Sequence, residues 1–452
     1  MERRVVLLIA TLTSFMTPFM ASSITIALPA IATEFSIDAV LLTWVVSSFV
    51  LPAAVLLLPF GRLADISGRK RVFAWGISLY TAASLACGLA PSTTLLIAFR
   101  ILQGMSAAMI FSTGMAILTS VYPASERGRV LGLNVAAVYL GLSLGPSLGG
   151  LMTHHLGWRS LFIGSASLGV VIVGLVLRYL RGEWAEAQGE PFDLVGTVIY
   201  SAALTCAMYG VSRLPAATGG WLVLIGLLGL LVFVAWELRV AHPVLEVRLF
   251  TGNAVFAFSN LAALVNYSST FAVTFLLSLY LQYIKGMSPQ AAGFILMAQP
   301  LVMSIFSPLA GRLSDRVEPR TLASTGMAFS VVTLCLLIFL DSQSGVAFII
   351  ACLLVNGFGF ALFSSPNTNA VMSSVDRRVY GVAAATISTM RMTGQMLSMG
   401  IATLLFAVNL GRVQISPAHF PMFLKSVHVA FIIFAALSFG GIFASLARGK
   451  LR

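Results

Sequence analysis

The chain has 452 residues, of which 58% are apolar and only 9% charged, with a formal net charge of +12 and a mean hydropathy of +0.97. A water-soluble domain of this length cannot hide so much apolar surface, whereas lipid accepts it directly, so the composition excludes a soluble fold and points to an all-α polytopic membrane protein. The positive charge falls in short segments between apolar stretches, where membrane topology alone demands it, and this argues against a nucleic-acid partner.

A helix rises about 1.5 Å per residue, so roughly 20 apolar residues cross the ~30 Å hydrocarbon layer. Fourteen such stretches follow one another, at 6–33, 40–62, 72–90, 93–121, 130–153, 159–180, 193–213, 220–238, 254–283, 289–311, 320–340, 346–372, 380–408 and 425–446. The first is too long for the apolar region of a cleavable signal and is expected to remain as a spanning helix. The seventh and eighth are short and are joined by Leu214-Pro-Ala-Ala-Thr-Gly-Gly220. All four cysteines (Cys87, Cys206, Cys335 and Cys352) fall inside spans without metal-ligand spacing, so they read as small packing residues, and no metal or cofactor is expected.

Orientation follows from the basic residues. Twenty of the 27 lie near the two chain ends or in one alternate set of loops, among them Arg62, Arg69, Lys70, Arg71, Arg127, Arg129, Arg377, Arg378, Lys450 and Arg452. Five (Arg159, Arg213, Lys285, Arg412 and Lys425) lie in the other set, and Arg100 and Arg391 are embedded in spans. Positively charged short loops resist translocation, which places both termini in the cytoplasm of a multi-pass cell-membrane protein.

Two related loops lie 250 positions apart, Gly61-Arg-Leu-Ala-Asp-Ile-Ser-Gly-Arg-Lys70 and Gly311-Arg-Leu-Ser-Asp-Arg-Val-Glu-Pro-Arg320. Setting aside the short central pair, six spans precede and six follow, and each loop joins the second and third span of its half. Further patterns are Arg100-Ile-Leu-Gln-Gly104, Gly141-Leu-Ser-Leu-Gly-Pro-Ser-Leu-Gly-Gly150, Ala27-Leu-Pro29, Gly157-Trp-Arg159, Tyr280-Leu-Gln-Tyr283 with Ser288-Pro289, and Pro366-Asn367 with Met390-Arg391. In this order they resemble the fourteen-helix drug/proton antiporter branch of the major facilitator superfamily, over nearly the whole chain. The resemblance implies two six-helix bundles, 1–181 and 251–452, with a linker and two added helices in 182–250. It also implies a substrate site between the bundles near the midplane, reached by alternating access.

Each motif has a physical reading. Gly61 and Gly68 permit close approach and a tight turn, and Asp65 sits among Arg62, Arg69, Lys70 and Arg71. In the resembled family such an aspartate pairs with nearby basic residues and a helix N-terminus of the other half, a gating latch in which Gly61, Asp65, Gly68, Arg69 and Arg129, with Gly311 and Asp315 of the second copy, take part. The alternative is that these are solvated topogenic charges. Gly141, Gly145, Gly149 and Gly150 lie near one helix face and invite a neighbouring backbone, while Pro146 bends the helix; tight packing and a pivot use the same surface. In the resembled family this pattern marks exporters that exchange substrate for protons.

A guanidinium embedded at Arg100 stays charged and must find carbonyls, a carboxylate, water or substrate. The resemblance ties it to proton coupling, with Asp65 a second candidate; a structural arginine bonded to backbone is the alternative. The sequence departs from the antiporter pattern at Met20, where the branch carries an aspartate, and no midplane carboxylate is evident. Proton coupling needs a group that changes charge in the working pH range. Three routes remain: a carboxylate such as Asp65 acting indirectly, a substrate that carries the proton or charge itself, or uncoupled transport.

Embedded polar groups are costly unless paired or wet. The expected cavity residues are Met20, Ser23, Thr25, Asn134, Tyr139, Asn260, Asn266, Tyr267, Gln299, Asn356, Asn367, Arg391 and Gln395. With Arg100 and Arg391 embedded and no carboxylate beside them, the cavity is read as net positive, favouring anionic or neutral amphiphiles over cations. Altogether the sequence reads as a non-enzymatic secondary transporter, by default a monomer in the lipid bilayer, exporting amphiphilic small molecules with the proton gradient as energy source. The alternative is an uncoupled or differently coupled transporter of a metabolite, organic anion or lipid. The linker Gly182-Glu-Trp-Ala-Glu-Ala-Gln-Gly-Glu-Pro191 reads as a solvated connection without chemistry.

Overall fold

The computed structural model describes residues 3–375 and 380–449, so the basic residues Arg377, Arg378, Lys450 and Arg452 lie outside the described residues. The first bundle contains α1 (Arg3–Phe35), α2 (Ala39–Ser67), α3 (Arg69–Gly88), α4 (Thr93–Val121), α5 (Ala124–Leu156) and α6 (Arg159–Tyr179). Two helices follow, α7 (Leu194–Arg213) and α8 (Ala217–Glu237), then a short α9 (Arg248–Gly252). The second bundle contains α10 (Ala254–Leu279, continued by one π turn Tyr280–Ile284), α11 (Pro289–Leu296) with α12 (Ala298–Ser314), α13 (Pro319–Leu337), α14 (Val346–Ser373), α15 (Tyr380–Asn409) and α16 (Phe420–Ala447).

Among the described residues thirteen helices, with α11 and α12 taken as one span, are long and apolar enough to cross a membrane. The remaining helix of spanning length, α3, holds Arg69, Lys70 and Arg71 in its first turn and is rich in small residues. The expected span at 289–311 is broken between Leu296 and Ala298. Pro300 has no amide proton, and its ring collides with the carbonyl four residues earlier, so the helix restarts. Several helices start on side-chain caps: Asp38 accepts from the amide of Leu41 at 2.7 Å, Asp193 from Gly196 at 2.8 Å, and Asn253 from Phe256 at 2.9 Å.

The internal repeat appears in the packing. In the first bundle α1 packs on α5 and α6, α3 on α4 and α6, and α2 on α4; in the second, α10 packs on α15 and α16, α13 on α14 and α16, and α12 on α14. Between the bundles α2 meets α15 and α11 meets α5, the same pair of positions exchanged. The added helices α7 and α8 pack on each other, with α7 seated beside α2 and α15 and α8 the most exposed span.

Candidate functional site

The end of the molecule where α1 begins and α16 ends is the terminal face; the other is the distal face. On the distal face the bundles are bonded together. The Ser278 hydroxyl donates to the Thr25 carbonyl at 2.8 Å, Gln282 Nε2 to the Ile26 carbonyl at 3.0 Å, and the Ala39 amide to the Val413 carbonyl at 3.0 Å, while the Thr43 and Thr403 hydroxyls share a bond of 2.7 Å.

The glycine motif of α5 serves two neighbours. A Cβ at Gly141 would lie 2.4 Å from the Phe15 carbonyl oxygen, one at Gly145 would lie 1.8 Å from the Ser22 hydroxyl, and one at Gly149 would lie 2.6 Å from Ser23 Cβ, all on α1. Gly150 instead faces the second bundle, where a Cβ would lie 2.4 Å from the Pro289 carbonyl oxygen. Reciprocally, a Cβ at Gly293 of α11 would lie 2.0 Å from the Pro146 carbonyl oxygen. The motif is therefore a packing seam within one bundle at three glycines and a seal between bundles at the fourth.

Between the bundles, from the middle of the spans toward the terminal face, lies a cavity of about 350 Å³. Thr13, Thr17, Ala21 and Ile24 of α1 recur every three or four residues and present one helix face to it. Aromatic walls come from Phe49, Phe111, Tyr139, Tyr267, Phe271 and Phe360, and polar groups from Asn134, Ser364, Ser388 and Gln395. Arg100 and Arg391 are the lining residues that carry charge at neutral pH; no Asp, Glu, Lys or His lines the cavity among the described residues.

Arg100 is 1% exposed, and its cation is met by dipoles. Nε donates to the Val45 carbonyl at 3.1 Å, Nη1 donates to Gln103 Oε1 at 2.6 Å, and the guanidinium lies 4.6 Å from the centroid of the Phe49 ring. Gln103 passes the chain on to the Ser84 hydroxyl at 2.7 Å. Arg391 Nη2 donates to the Thr368 hydroxyl at 2.7 Å, and its guanidinium lies 5.7 Å from the centroid of the Tyr267 ring. Arg391 Nε and Asn134 Oδ1 are buried without a hydrogen-bond partner.

Of the sequence-predicted cavity residues, Asn134, Tyr139, Tyr267, Arg391 and Gln395 line this cavity, together with Arg100. The other eight lie elsewhere, because helix rotation is set by packing rather than by polarity. Met20 is buried in the core of the first bundle, Ser23 donates to the Gly145 carbonyl at 2.9 Å within the α1–α5 seam, and Thr25 bonds its own helix at the Ser22 carbonyl. Asn260 Nδ2 donates to the Phe256 carbonyl of its own helix, while Asn266, Asn356 and Gln299 are buried away from the cavity lining. Asn367 bonds Arg448, which the sequence counts among topogenic charges but which is 1% exposed. Its Nη1 donates to Asn367 Oδ1 at 3.0 Å and to the Ser259 hydroxyl at 3.2 Å, tying α10, α14 and α16 together, and burial lowers its pKa to about 10, so it stays cationic.

At the terminal face, Asp65 Oδ1 accepts from Arg69 Nε at 2.9 Å, closing a pair within the first bundle. Among the described residues, its partners beyond the motif come from the linker. Arg69 Nη1 donates to Glu186 at 2.8 Å, the Ala187 amide donates to the Asp65 carbonyl at 2.9 Å, and the Lys70 amide donates to Glu183 at 2.8 Å, which places a carboxylate on the N-terminus of α3. Gly68 has φ +112°, and a Cβ there would lie 2.3 Å from the Glu183 carboxyl carbon, so the glycine serves both the turn and the docking. Arg62 pairs with Glu190 at 2.5 Å, and His242 lies 3.0 Å from the same carboxylate. The Arg62 hydrogen bond holds the Glu190 carboxyl below the usual range. The linker is thus a docked strap, correcting its reading as a solvated connection. Arg129 is exposed, Gly311 approaches Ser365, and Asn369 Nδ2 donates to Asp315 at 3.5 Å in the second copy.

Two pseudo-equivalent bundles sealed at one end around a central cavity define a membrane transporter, not an enzyme. The chain belongs to the Major Facilitator Superfamily, whose family model matches residues 10–259 and 259–450. It is 28% identical over 444 residues to the riboflavin transporter RibZ of Clostridioides difficile, covering 98% of this chain and 96% of that one. It is 33% identical over 415 residues to the cephamycin export protein CmcT of Amycolatopsis lactamdurans, covering 90% and 85%. In fold it matches the structure of a bacterial homologue of the human lysosomal transporter Spinster in an inward-facing, unoccupied conformation, with a TM-score of 0.68 at 16% identity over 99% of this chain and 97% of that one.

Proposed function

We propose that this protein exports amphiphilic small molecules across the cell membrane by alternating access, within the fourteen-helix branch of its superfamily, with both termini cytoplasmic. The observation that carries the reading is the cavity between the bundles, walled by aromatic and aliphatic side chains with a few convergent polar groups, on the terminal side of a bonded distal seal. Rocking of the bundles opens the seal at Gly150 and Gly293 and closes the terminal side, so the same cavity meets each aqueous phase in turn. Relatives named for cephamycin export and riboflavin transport support cargo with an aromatic or heterocyclic body. Exchange for protons has no titratable carboxylate or histidine to use in the cavity lining among the described residues, so a protein-borne proton must sit outside it, with Asp65 and Asp315 the candidates.

The test is flux in liposomes that contain the purified protein, with a mixed panel of dyes, drugs and organic anions and an interior pH probe. Saturable, protein-dependent movement of at least one amphiphile is expected. Absence of any flux from folded protein across the panel counts against export.

A further inference from the structure

The cavity has the makings of an anion site. We infer that its cargo is an amphiphilic anion, held at Arg391, and that each transport cycle moves the cargo's charge across the membrane without a compensating proton; the inference rests on the transport reading above.

The protein does not saturate the Arg391 guanidinium. Nη2 is engaged by the Thr368 hydroxyl, while Nε is buried and unbonded in a side chain that lines the cavity. A guanidinium donor left without an acceptor in a low-dielectric site costs more than a neutral one, and a sulfonate, carboxylate or phosphate oxygen relieves it with a charge-assisted bond. Tyr267 lies within cation–π distance of the same guanidinium and lines the cavity, so an aromatic body packs beside it. Across the cavity, Asn134 is 4% exposed and its Oδ1 has no donor, so a hydroxyl or amine on the cargo is accepted there. Arg100 adds a second positive charge, saturated by carbonyl and amide oxygens rather than by a carboxylate. A lipophilic cation entering this lining would meet two guanidinium groups and no counter-charge among the described residues.

The energetic consequence follows from charge conservation. The fixed arginines return with the empty carrier and no carboxylate or histidine lines the cavity among the described residues, so with no proton carried at Asp65 or Asp315 outside it the net charge moved is that of the cargo. An interior-negative membrane potential expels an anion, with a limiting gradient of about fifty-fold per unit charge for each 100 mV.

The test uses two permanently charged probes with one naphthalene body, 2-naphthalenesulfonate and trimethyl(2-naphthyl)ammonium, neither of which carries a proton. Binding is measured in detergent, and flux is measured in liposomes whose potential is set with potassium and valinomycin at equal pH on both sides. The expected result is binding of the sulfonate at least tenfold tighter than the ammonium, loss of that preference in Arg391→Gln, partial recovery in Arg391→Lys, and sulfonate accumulation on whichever side is made positive. Preferential binding or movement of the ammonium overturns the anion site while leaving a transporter. Selective sulfonate binding lost in Arg391→Gln, with no flux of any panel compound, supports the site and removes the transport reading. Sulfonate flux that follows a pH difference and ignores the potential overturns the charge-carrying cycle. A sulfonate preference unchanged in Arg391→Gln, in protein of wild-type Tm, overturns the assignment to Arg391.

Discussion

Adding one methyl group at Gly150 separates the sealing role of the α5 motif from its packing role. A Cβ there stands 2.4 Å from the Pro289 carbonyl oxygen, about 1 Å short of an ordinary contact beginning near 3.4 Å. The obstructing atom is backbone, so no rotamer relieves it, and the bundles must part on the distal face. Overpacking of this kind costs about 1–3 kcal/mol, which shifts a two-state equilibrium about 5- to 150-fold toward the distally open form, where the contact is absent. Gly149→Ala is the matched control, because its Cβ would meet Ser23 Cβ at 2.6 Å inside one bundle and clash in both states. The assay is alkylation of Gln282→Cys by a membrane-impermeant maleimide, in protein whose four native cysteines are replaced. Gly150→Ala should label about tenfold faster at near wild-type Tm, whereas Gly149→Ala should lose Tm without faster labelling. A Gly150→Ala protein that is stable and labels no faster refutes the seal.

Other consequences are as direct. Arg448→Ala leaves Asn367 and Ser259 without their shared donor in a buried site and removes the tie among α10, α14 and α16; a loss of about 2–4 kcal/mol is expected, read as a lower Tm. Glu190 has a lowered pKa, so its contribution to strap docking is present above the usual carboxylate value of 4.5 and is lost as pH falls through the lower folded value. A spin label at the exposed position 188 should therefore stay immobile at neutral pH and gain mobility only below pH 4.5, while Glu190→Gln should be mobile already at neutral pH. A label equally immobile in both proteins across that range contradicts the docking role of the carboxylate.

The spans and the repeat are legible in the sequence because lipid imposes a continuous apolar run on every crossing, and the embedded Arg100 and Arg391 stand out for the same reason. Even the break after Leu296 has a local cause at Pro300. Half of the cavity is not legible in the same way. Asn266 and Asn356 are as polar as Asn134, yet they turn away from the cavity, and Thr13 and Thr17 face it although a threonine can satisfy itself on its own helix. The spacing of Thr13, Thr17, Ala21 and Ile24 was the available signal. The carboxylates Glu183, Glu186 and Glu190 read as solvated because nothing local in a loop says that it will dock, and Arg448 looks topogenic because its partners Ser259 and Asn367 are far away in sequence.

The central claim is that the cavity is the path of transport, and Gly114 offers the most direct test of it. This residue lines the cavity on α4, and a Cβ built there meets no atom within 4 Å, so a large side chain fills the cavity without disturbing the packing. Flux of a transported amphiphile is measured in liposomes containing either wild-type protein or Gly114→Trp, with Tm recorded for both. The account predicts that the tryptophan protein keeps its Tm within a few degrees and loses at least nine-tenths of the flux. Undiminished flux through a folded Gly114→Trp protein would contradict it.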